Sequence, residues 1–504
     1  MTETVDASAL QELGNDLDAF VPVVMDQCRT PGISVALRLA DGTTWASAYG
    51  SADLTSGTPM TPGTTVRAGS MSKPYTATAV MQLVESGVIG LDEPIGAHLP
   101  FPVVNPLGNR DVTVLDLLTH RSGLAGDMGS SSWEPVEPLA QHLAASFIES
   151  RYDVYGGRFG PKWSAPVGET YQYCNTGVAL LGLLVELTNP DGLSFADYVG
   201  AKILDPLGMA ETVFAPVHEQ AVRRADLVER LCTGYVQLGP LRLPTPTVHI
   251  ADWPCGTVLT TPRDHLRLLV AFLNGGQAEG CRILGPGTVQ SMLTRHVDTL
   301  GGGVGLIWNL SNQGKEHEFF AHGGAHMYGW TNTARAYPCL GLAVVVSVNQ
   351  WNLLEDPGAP RYLEAEMIAD YVVDRVLLSA ARSGAPGPGN RARKASLLMG
   401  VVLAERWARL GLDQWPSQFL AEMIASAHSV SAGQVGWNAG ALREGFEAFL
   451  SRPSPDQVVR WMVTQPLLPA EELRSLLRDL GCLADNPILP AIPLRQVAAV
   501  LAAQ

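Results

Sequence analysis

The chain has 504 residues, 46% of them hydrophobic and 16% charged, which is a globular composition long enough for two or three domains. Its formal net charge of −15 excludes nucleic acid or an anionic membrane as the main partner. No apolar run approaches the roughly 18 residues of a membrane span, and the first twenty residues lack a secretory signal pattern. With 7 scattered cysteines and no Cys-x-x-Cys pair, these features predict a cytoplasmic protein with reduced thiols.

The predicted elements begin with a hairpin. GISVALRLA and TTWASAYG read as strands joined at Asp41-Gly42, a dipeptide typical of tight turns. A helical pattern follows from Ser70 to about Ser86, and residues 110–295 mix short helices with loops. Four strand-like runs come next, namely GLIWNL, EFFAHGG, YGWTNTARAYP and CLGLAVVVSVNQ. Strands at both ends of one domain predict an antiparallel sheet whose first and last strands meet.

The composition changes after a last amphipathic helix at about 359–379. Residues 381–393, rich in Pro, Gly and Arg, read as a linker. Residues 394–504 are helical by pattern and nearly neutral, and they contain four tryptophans. We expect a hydrolase-type domain over 1–380 and a C-terminal helical domain over 394–504 that serves oligomerisation, partner docking or covering of the active site.

The first candidate for chemistry is Ser70-Met71-Ser72-Lys73. Residues three apart share a helix face, so Lys73 can take the hydroxyl proton of Ser70. Pro74 is tolerated only in a first turn, which places Ser70 at the helix start, where free amides favour an oxyanion. Burial and the helix dipole would leave the Lys73 amine a competent proton acceptor. The alternative is an ordinary helix start with Ser70 as cap and Lys73 in solvent.

The second candidate is Tyr173-Cys174-Asn175, directly before an apolar helix expected from Thr176 to Leu187. A tyrosine beside a cationic lysine can act as a base, and Asn175 can bind a substrate amide or the lysine. The alternatives are a half-buried aromatic residue and a helix cap.

The third candidate is His322-Gly323-Gly324-Ala325, which we expect to end the strand EFFA. Glycines there let a substrate chain approach the strand edge, and the Ala325 amide can supply an oxyanion donor. A glycine turn that happens to contain a histidine is the alternative.

Together and in this order, the three segments resemble the serine β-lactamase and penicillin-binding-protein superfamily. The closest branch contains class C β-lactamases, D,D-carboxypeptidases, D-aminopeptidases and family VIII carboxylesterases. VLDLLTHRSGL (114–124) and PCGTVLTTPRDHLRLLVAFLNGG (254–276) are similar to further segments of that branch. The resemblance covers about residues 15–380. It implies an α+β fold, with an antiparallel sheet flanked by helices and an all-helical part.

The resemblance also implies roles for the site residues. Ser70 would be the acyl-accepting nucleophile, Lys73 its proton partner and Tyr173 the general base that later protonates the leaving group. Asn175 would bind the acyl amide or orient Lys73. The remaining substrate-binding and oxyanion residues would be His322, Gly323, Gly324 and Ala325.

One departure from the family pattern bears on the substrate. β-Lactamases usually carry Lys-Thr-Gly where this chain has His322 and Gly323, so a substrate carboxylate loses a cation and a hydroxyl. We therefore expect a serine hydrolase of small esters or amides that hydrolyses β-lactams poorly. An acyltransferase that passes the acyl group to an amine or alcohol is an alternative, and a catalytically silent binding protein is another.

Other sequence features set further expectations. The sequence predicts no metal site and no cofactor, since no Cys/His cluster has zinc spacing. An insertion at 125–163 would lie at the pocket mouth. Its aromatic residues would form either an acyl pocket or a flap with its own packing, and they are Trp133, Tyr152, Tyr155, Phe159 and Trp163.

Overall fold

The structure is a computed structural model. It describes residues 7–125, 131–149, 162–238, 241–299, 302–311, 318–326, 329–352 and 363–382. The expected C-terminal helical domain and all but the first two residues of the expected linker lie outside the described residues, as do Tyr152, Tyr155 and Phe159. Contacts divide the chain into two units, Met1–Asp356 with Glu364–Glu366, and Pro357–Leu363 with Met367–Gln504.

An antiparallel sheet forms the centre of the first unit. Its strand order over the described residues is β12-β13-β14-β15-β16-β17-β1-β2-β3. These strands are β1 Gly32–Arg38, β2 Thr44–Asp53, β3 Thr58–Pro59, β12 Val297–Thr299, β13 Gly302–Val304, β14 Asn309–Ser311, β15 Phe319–His326, β16 Trp330–Tyr337 and β17 Leu342–Val348. Strand β1 pairs with β17 from Ile33–Val348 to Arg38–Ala343, so the expected meeting of the two ends is confirmed.

Smaller sheets surround the central one. A three-stranded sheet has the order β18-β6-β7, and pairs form between β4 and β9, β5 and β8, and β10 and β11. The strands are β4 Val66–Arg67, β5 Ser131–Ser132, β6 Tyr235–Leu238, β7 Leu241–Pro244, β8 His249–Ile250, β9 Leu259–Thr260, β10 Gln277–Ala278, β11 Cys281–Arg282 and β18 Gln350–Asn352.

Helices cover the sheet and build a helical part beside it. In the first unit they are α1 Ala7–Cys28, α2 Lys73–Glu85, α3 Val114–Leu118, α4 Leu139–Ala144, α5 Asn175–Thr188, α6 Phe195–Val199, α7 Val217–Arg223, α8 Ala225–Glu229, α9 Pro262–Leu273 and α10 Pro286–Met292. A further helix, α11 Leu363–Arg382, belongs largely to the second unit. Helix α9 packs on β1, β16 and β17, whose residues are almost all buried. The buried helix α5 packs against α2, which follows the Ser70 turn. None of the helices in the described segments combines the length and apolar character that a membrane crossing requires.

Two strand predictions need correction. In GLIWNL only Asn309 and Leu310 belong to a strand, because Ile307 has a φ of 71° and its amide donates to Leu118 O instead of to a neighbouring strand. The predicted strand EFFAHGG extends further than expected, from Phe319 to His326, and Gly323 and Gly324 pair with Thr333 and Asn332 within it. The glycine-turn alternative for this segment is therefore wrong.

Position 324 requires a glycine because two stretches of backbone approach each other closely there. A Cβ at this position would lie 1.8 Å from Ala68 O, and a Cβ at Gly69 would lie 2.7 Å from Ala325 O. The Asn332 side-chain amide donates to Arg67 O (3.1 Å) and Gly324 O (3.2 Å), which holds the two stretches together. Strand β15 therefore lies directly against the turn that carries Ser70.

We expect Gly324→Ala to destabilise the protein by about 1–3 kcal/mol, the usual cost of overpacking. The added methyl group would force β15 away from the Ser70 turn. Unfolding of both proteins in urea would measure the change. Gly287→Ala is the matched control, since a Cβ at this helical position meets nothing within 4 Å. Equal stability of Gly324→Ala and wild type would contradict the close approach.

Candidate active site

The turn that carries Ser70 is fixed by backbone geometry and by a neighbouring hydroxyl. Residues Gly69–Ser72 form a 3₁₀ turn that leads into α2, and Gly69 has a φ of +57°, which favours glycine. The Ser72 hydroxyl donates to Gly69 O (2.7 Å) and accepts from Val258 N (2.9 Å). Ser72, not Ser70, precedes the α-helix, so the half-buried Ser70 side chain is not its cap.

Lys73 is the buried amine of the site. Its side chain is 0% exposed, so the solvated alternative is wrong. Lys73 Nζ donates to Ser70 Oγ and to Cys255 O, both at 3.0 Å, and lies 4.8 Å from the centre of the Tyr173 ring. No carboxylate among the described residues forms an ion pair with it. A hydroxyl, a carbonyl and a π face are thus the groups that compensate burial of the amine.

The loop around Cys255 is held by a buried carboxylate. Asp252, 0% exposed, accepts from Thr176 Oγ1 (2.9 Å) and from His142 Nε2 (3.0 Å). Thr176 lies in the first turn of α5, directly after the Tyr173 segment. Asp252 therefore ties this turn and α4 to the loop whose carbonyl accepts from Lys73.

Tyr173 and Asn175 flank the start of α5. Tyr173 is half-buried, and its ring centre lies 4.7 Å from that of His120 and 6.5 Å from that of His322. Cys174 occupies the N-cap position of α5 without a capping hydrogen bond from its side chain, and Asn175 is the first helical residue, so the interpretation of Asn175 as a cap is wrong. The structure brings Ser70, Lys73 and Tyr173 together. Asn175 follows Tyr173 by two positions in the chain.

His322, Gly323, Gly324 and Ala325 lie in β15, against the Ser70 turn. His322 is 3% exposed, and its Nδ1–H donates to Gly323 O at 2.7 Å. Because a carbonyl can only accept, Nδ1 carries the ring proton and Nε2 presents a lone pair. Burial lowers the pKa of His322 to about 3, with the nearby Lys73 charge as the second cause, so the ring is neutral at neutral pH.

His120 is a site residue to which the sequence interpretation assigned no role, although it lies in the quoted segment VLDLLTHRSGL. Its ring is 2% exposed and stands between Tyr171 and Tyr173, at 6.0 and 4.7 Å between ring centres. Burial lowers the pKa of His120 to about 3, with smaller contributions from the charges of Lys73 and His322. A histidine in a segment shared with relatives was the available signal, but the sequence did not show which residue it contacts.

The insertion at 125–163 is described only in part. Trp163 is buried and packs edge-on against Phe147, with 6.2 Å between ring centres, whereas Trp133 is 63% exposed. Among the described residues, no group of three or more His, Cys, Asp or Glu side chains is placed to hold a metal ion.

Comparison with protein families identifies the chain. A family model described as Beta-lactamase matches residues 17–367, which is more than half of the sequence. The chain belongs to the Beta-lactamase family. The superfamily resemblance and the α+β fold of the first unit are thereby confirmed.

Individual relatives are distant members of this family. Penicillin-binding protein 4 of Amycolatopsis lactamdurans is 32% identical over 259 residues, which are 50% of this chain and 62% of the relative. The match therefore spans less than two thirds of that protein's length. The octameric penicillin-binding protein homologue from Pyrococcus abyssi has a TM-score of 0.58 at 24% identity, over 74% of this chain and 77% of the homologue. The D-amino acid amidase from Ochrobactrum anthropi has a TM-score of 0.56 at 23% identity, over 74% of this chain and all of the amidase. These structural likenesses show the fold.

We expect His120 and His322 to remain neutral from pH 8 to 4.5, because their folded pKa of about 3 lies below the ordinary 6.5. Their contribution to stability is full above about pH 6.5 and is lost as the pH falls towards 3. NMR of the protein with ¹³C-labelled histidine measures this directly, with His120→Gln and His322→Gln spectra for assignment. Titration of either ring near pH 6.5 would contradict the burial described above.

Proposed function

We propose that the protein is a serine hydrolase that forms an acyl-enzyme on Ser70 and cleaves a small ester or amide. The observation that carries this proposal is the 3.0 Å contact between Lys73 Nζ and Ser70 Oγ, at a buried amine without a carboxylate partner among the described residues. Family membership supports it. The D-amino acid amidase and the penicillin-binding protein homologue share the fold, and the amidase supports the reaction class.

In the proposed mechanism, the Lys73–Tyr173 pair takes the Ser70 proton as Oγ attacks the substrate carbonyl. Tyr173 shares this proton with Lys73 and delivers it to the leaving group. The amides of Ser70 and Ala325 stabilise the oxyanion, a role consistent with β15 lying against the Gly69 turn. Asn175 binds the acyl part of the substrate or orients Lys73. Water then resolves the acyl-enzyme.

His322 supports a substrate that lacks a carboxylate at this position. Its Nδ1–H is engaged by Gly323 O, so the neutral ring offers Nε2 as a hydrogen-bond acceptor. A carboxylate here would meet a lone pair instead of a cation. An amide N–H, an amine or a hydroxyl of the substrate would find an acceptor. Small uncharged esters and amides fit this chemistry better than β-lactams, which carry a carboxylate.

A cytoplasmic location stays a prediction.

Ser70→Ala is expected to abolish acylation with little change in stability, since the side chain is small, polar and half-buried. Stopped-flow burst kinetics with p-nitrophenyl butyrate, with labelling of Ser70 by a fluorophosphonate, measures this. Product analysis with an added amine then distinguishes hydrolysis from acyl transfer. An active Ser70→Ala variant would refute the nucleophile assignment. Absence of both burst and label in the wild type would favour a binding protein.

Tyr173→Phe is expected to lower kcat for an alkyl butyrate by about 10²–10⁴-fold, the range for loss of a positioned acid or base, as measured in steady-state assays. Tyr171→Phe is the matched control, since it removes the same hydroxyl from the ring on the other side of His120. We expect the control to stay within about threefold of wild type, because the ring contacts remain. A small loss of kcat in Tyr173→Phe would assign the base role to Lys73 alone. Equal losses of kcat in Tyr173→Phe and Tyr171→Phe would contradict a specific role for Tyr173.

For nitrocefin we expect a kcat/KM at least about 10-fold below that for p-nitrophenyl butyrate, since one charged hydrogen bond contributes roughly 1.5–3 kcal/mol. Steady-state assays with both substrates at pH 7 provide the comparison. Hydrolysis of nitrocefin as efficient as that of the ester would show that a group other than His322 holds the carboxylate.

A further inference from the structure

Two energetically unfavourable features coincide at His120, one in its backbone and one in its side chain. Its backbone has a φ of 55°, a left-handed conformation that is uncommon for residues with a side chain. Its Nε2 is buried and has no hydrogen-bond partner among the described residues. Unfavourable backbone conformations and unsatisfied polar atoms persist where the surrounding structure enforces them, and they cluster at functional sites.

His120 fastens the Tyr173 segment at two points. The carbonyl of His120 accepts from Gln172 N at 2.8 Å, and its Nδ1 accepts from Cys174 N at 3.3 Å. These are the residues immediately before and after Tyr173. Because Nδ1 accepts, Nε2 carries the proton, and the neutral ring can lie beside the Lys73 amine without adding a positive charge.

The ring of His120 also limits where Tyr173 can lie. The two ring centres are 4.7 Å apart, and the centre of the Tyr173 ring also lies 4.8 Å from Lys73 Nζ. Tyr173 lies outside regular secondary structure, since α5 starts at Asn175. Helix geometry therefore does not orient it, and contacts from other segments must.

We propose that His120 is a positioning residue that holds Tyr173 against the Lys73 amine through its Nδ1 acceptor and its ring face. This inference rests on the proposed function, because it assigns His120 to the Tyr173 proton-transfer step. In this scheme His120 acts through Tyr173 and not directly on the substrate.

The test uses two variants that both tolerate the left-handed backbone. His120→Gly removes the side chain, whereas His120→Asn keeps an acceptor near the position of Nδ1. The carbonyl contact to Gln172 remains in both. For an alkyl butyrate we expect His120→Gly to lower kcat by about 10²-fold, as misplacement of a reacting group by about 1 Å does. The kcat of His120→Asn should lie within about fivefold of the wild-type value.

The leaving group separates positioning from general loss of structure. p-Nitrophenolate leaves without protonation, whereas an alkyl alcohol requires the proton that Tyr173 delivers. The kcat for an alkyl butyrate should therefore fall at least about tenfold further in His120→Gly than the kcat for p-nitrophenyl butyrate. His265→Gln is a control for loss of another fully buried histidine, and it should lower both rates equally. Equal losses in His120→Gly would overturn the inference.

A double-mutant cycle with Tyr173→Phe completes the test. If His120 acts through Tyr173, His120→Gly causes less than about threefold further loss in the Tyr173→Phe background. Multiplicative losses would overturn the positioning role while leaving the proposed function intact. A wild type without Ser70 labelling would instead remove the proposed function first.

Discussion

The site depends on how a buried lysine is accommodated. A fully buried ammonium group is costly unless polar or π groups compensate for the lost water. Here the compensation comes from the Ser70 hydroxyl, the Cys255 carbonyl and the Tyr173 ring, which belong to three separate segments of the chain. Each of these segments has its own support, from the Gly69 turn, from Asp252 and from His120 respectively. The buried Lys73 amine therefore depends on all three supports, because each support positions one of the groups that compensate for its burial.

The titratable groups around the amine influence one another's charge states. Lys73, His120 and His322 lie within range of one another's electrostatic influence, and the lysine charge further lowers the pKa of both histidines. The imidazoles therefore serve as neutral hydrogen-bonding groups. Their two tautomers are opposite, because His120 accepts through Nδ1 and His322 donates through Nδ1. The backbone partner of each ring thus decides which ring nitrogen carries the proton.

The sequence predicted those features that depend on local pattern. The Asp41-Gly42 turn, the helix after Ser70 and the apolar helix after Tyr173 all follow from residue spacing and turn chemistry. The sequence also predicted that the first and last strands meet, but it did not show the specific contacts between distant segments of the site. One example is Gly324, which makes room for the Ala68 carbonyl within a continuous strand. The contact of His120 with Cys174 spans 54 residues, and no local pattern encodes it.

The pairing of β1 with β17 has a consequence for how the chain folds. The side chain of Arg38 in β1 donates to Gly341 O, 303 residues later in the sequence. During synthesis the β1–β2 hairpin therefore emerges long before β17, and the edge of β1 stays uncovered until most of this unit has been made. Such non-local pairing slows folding and leaves a strand edge available to other chains in the meantime. The hairpin's delay makes nascent copies of this protein candidates for chaperone protection at the ribosome.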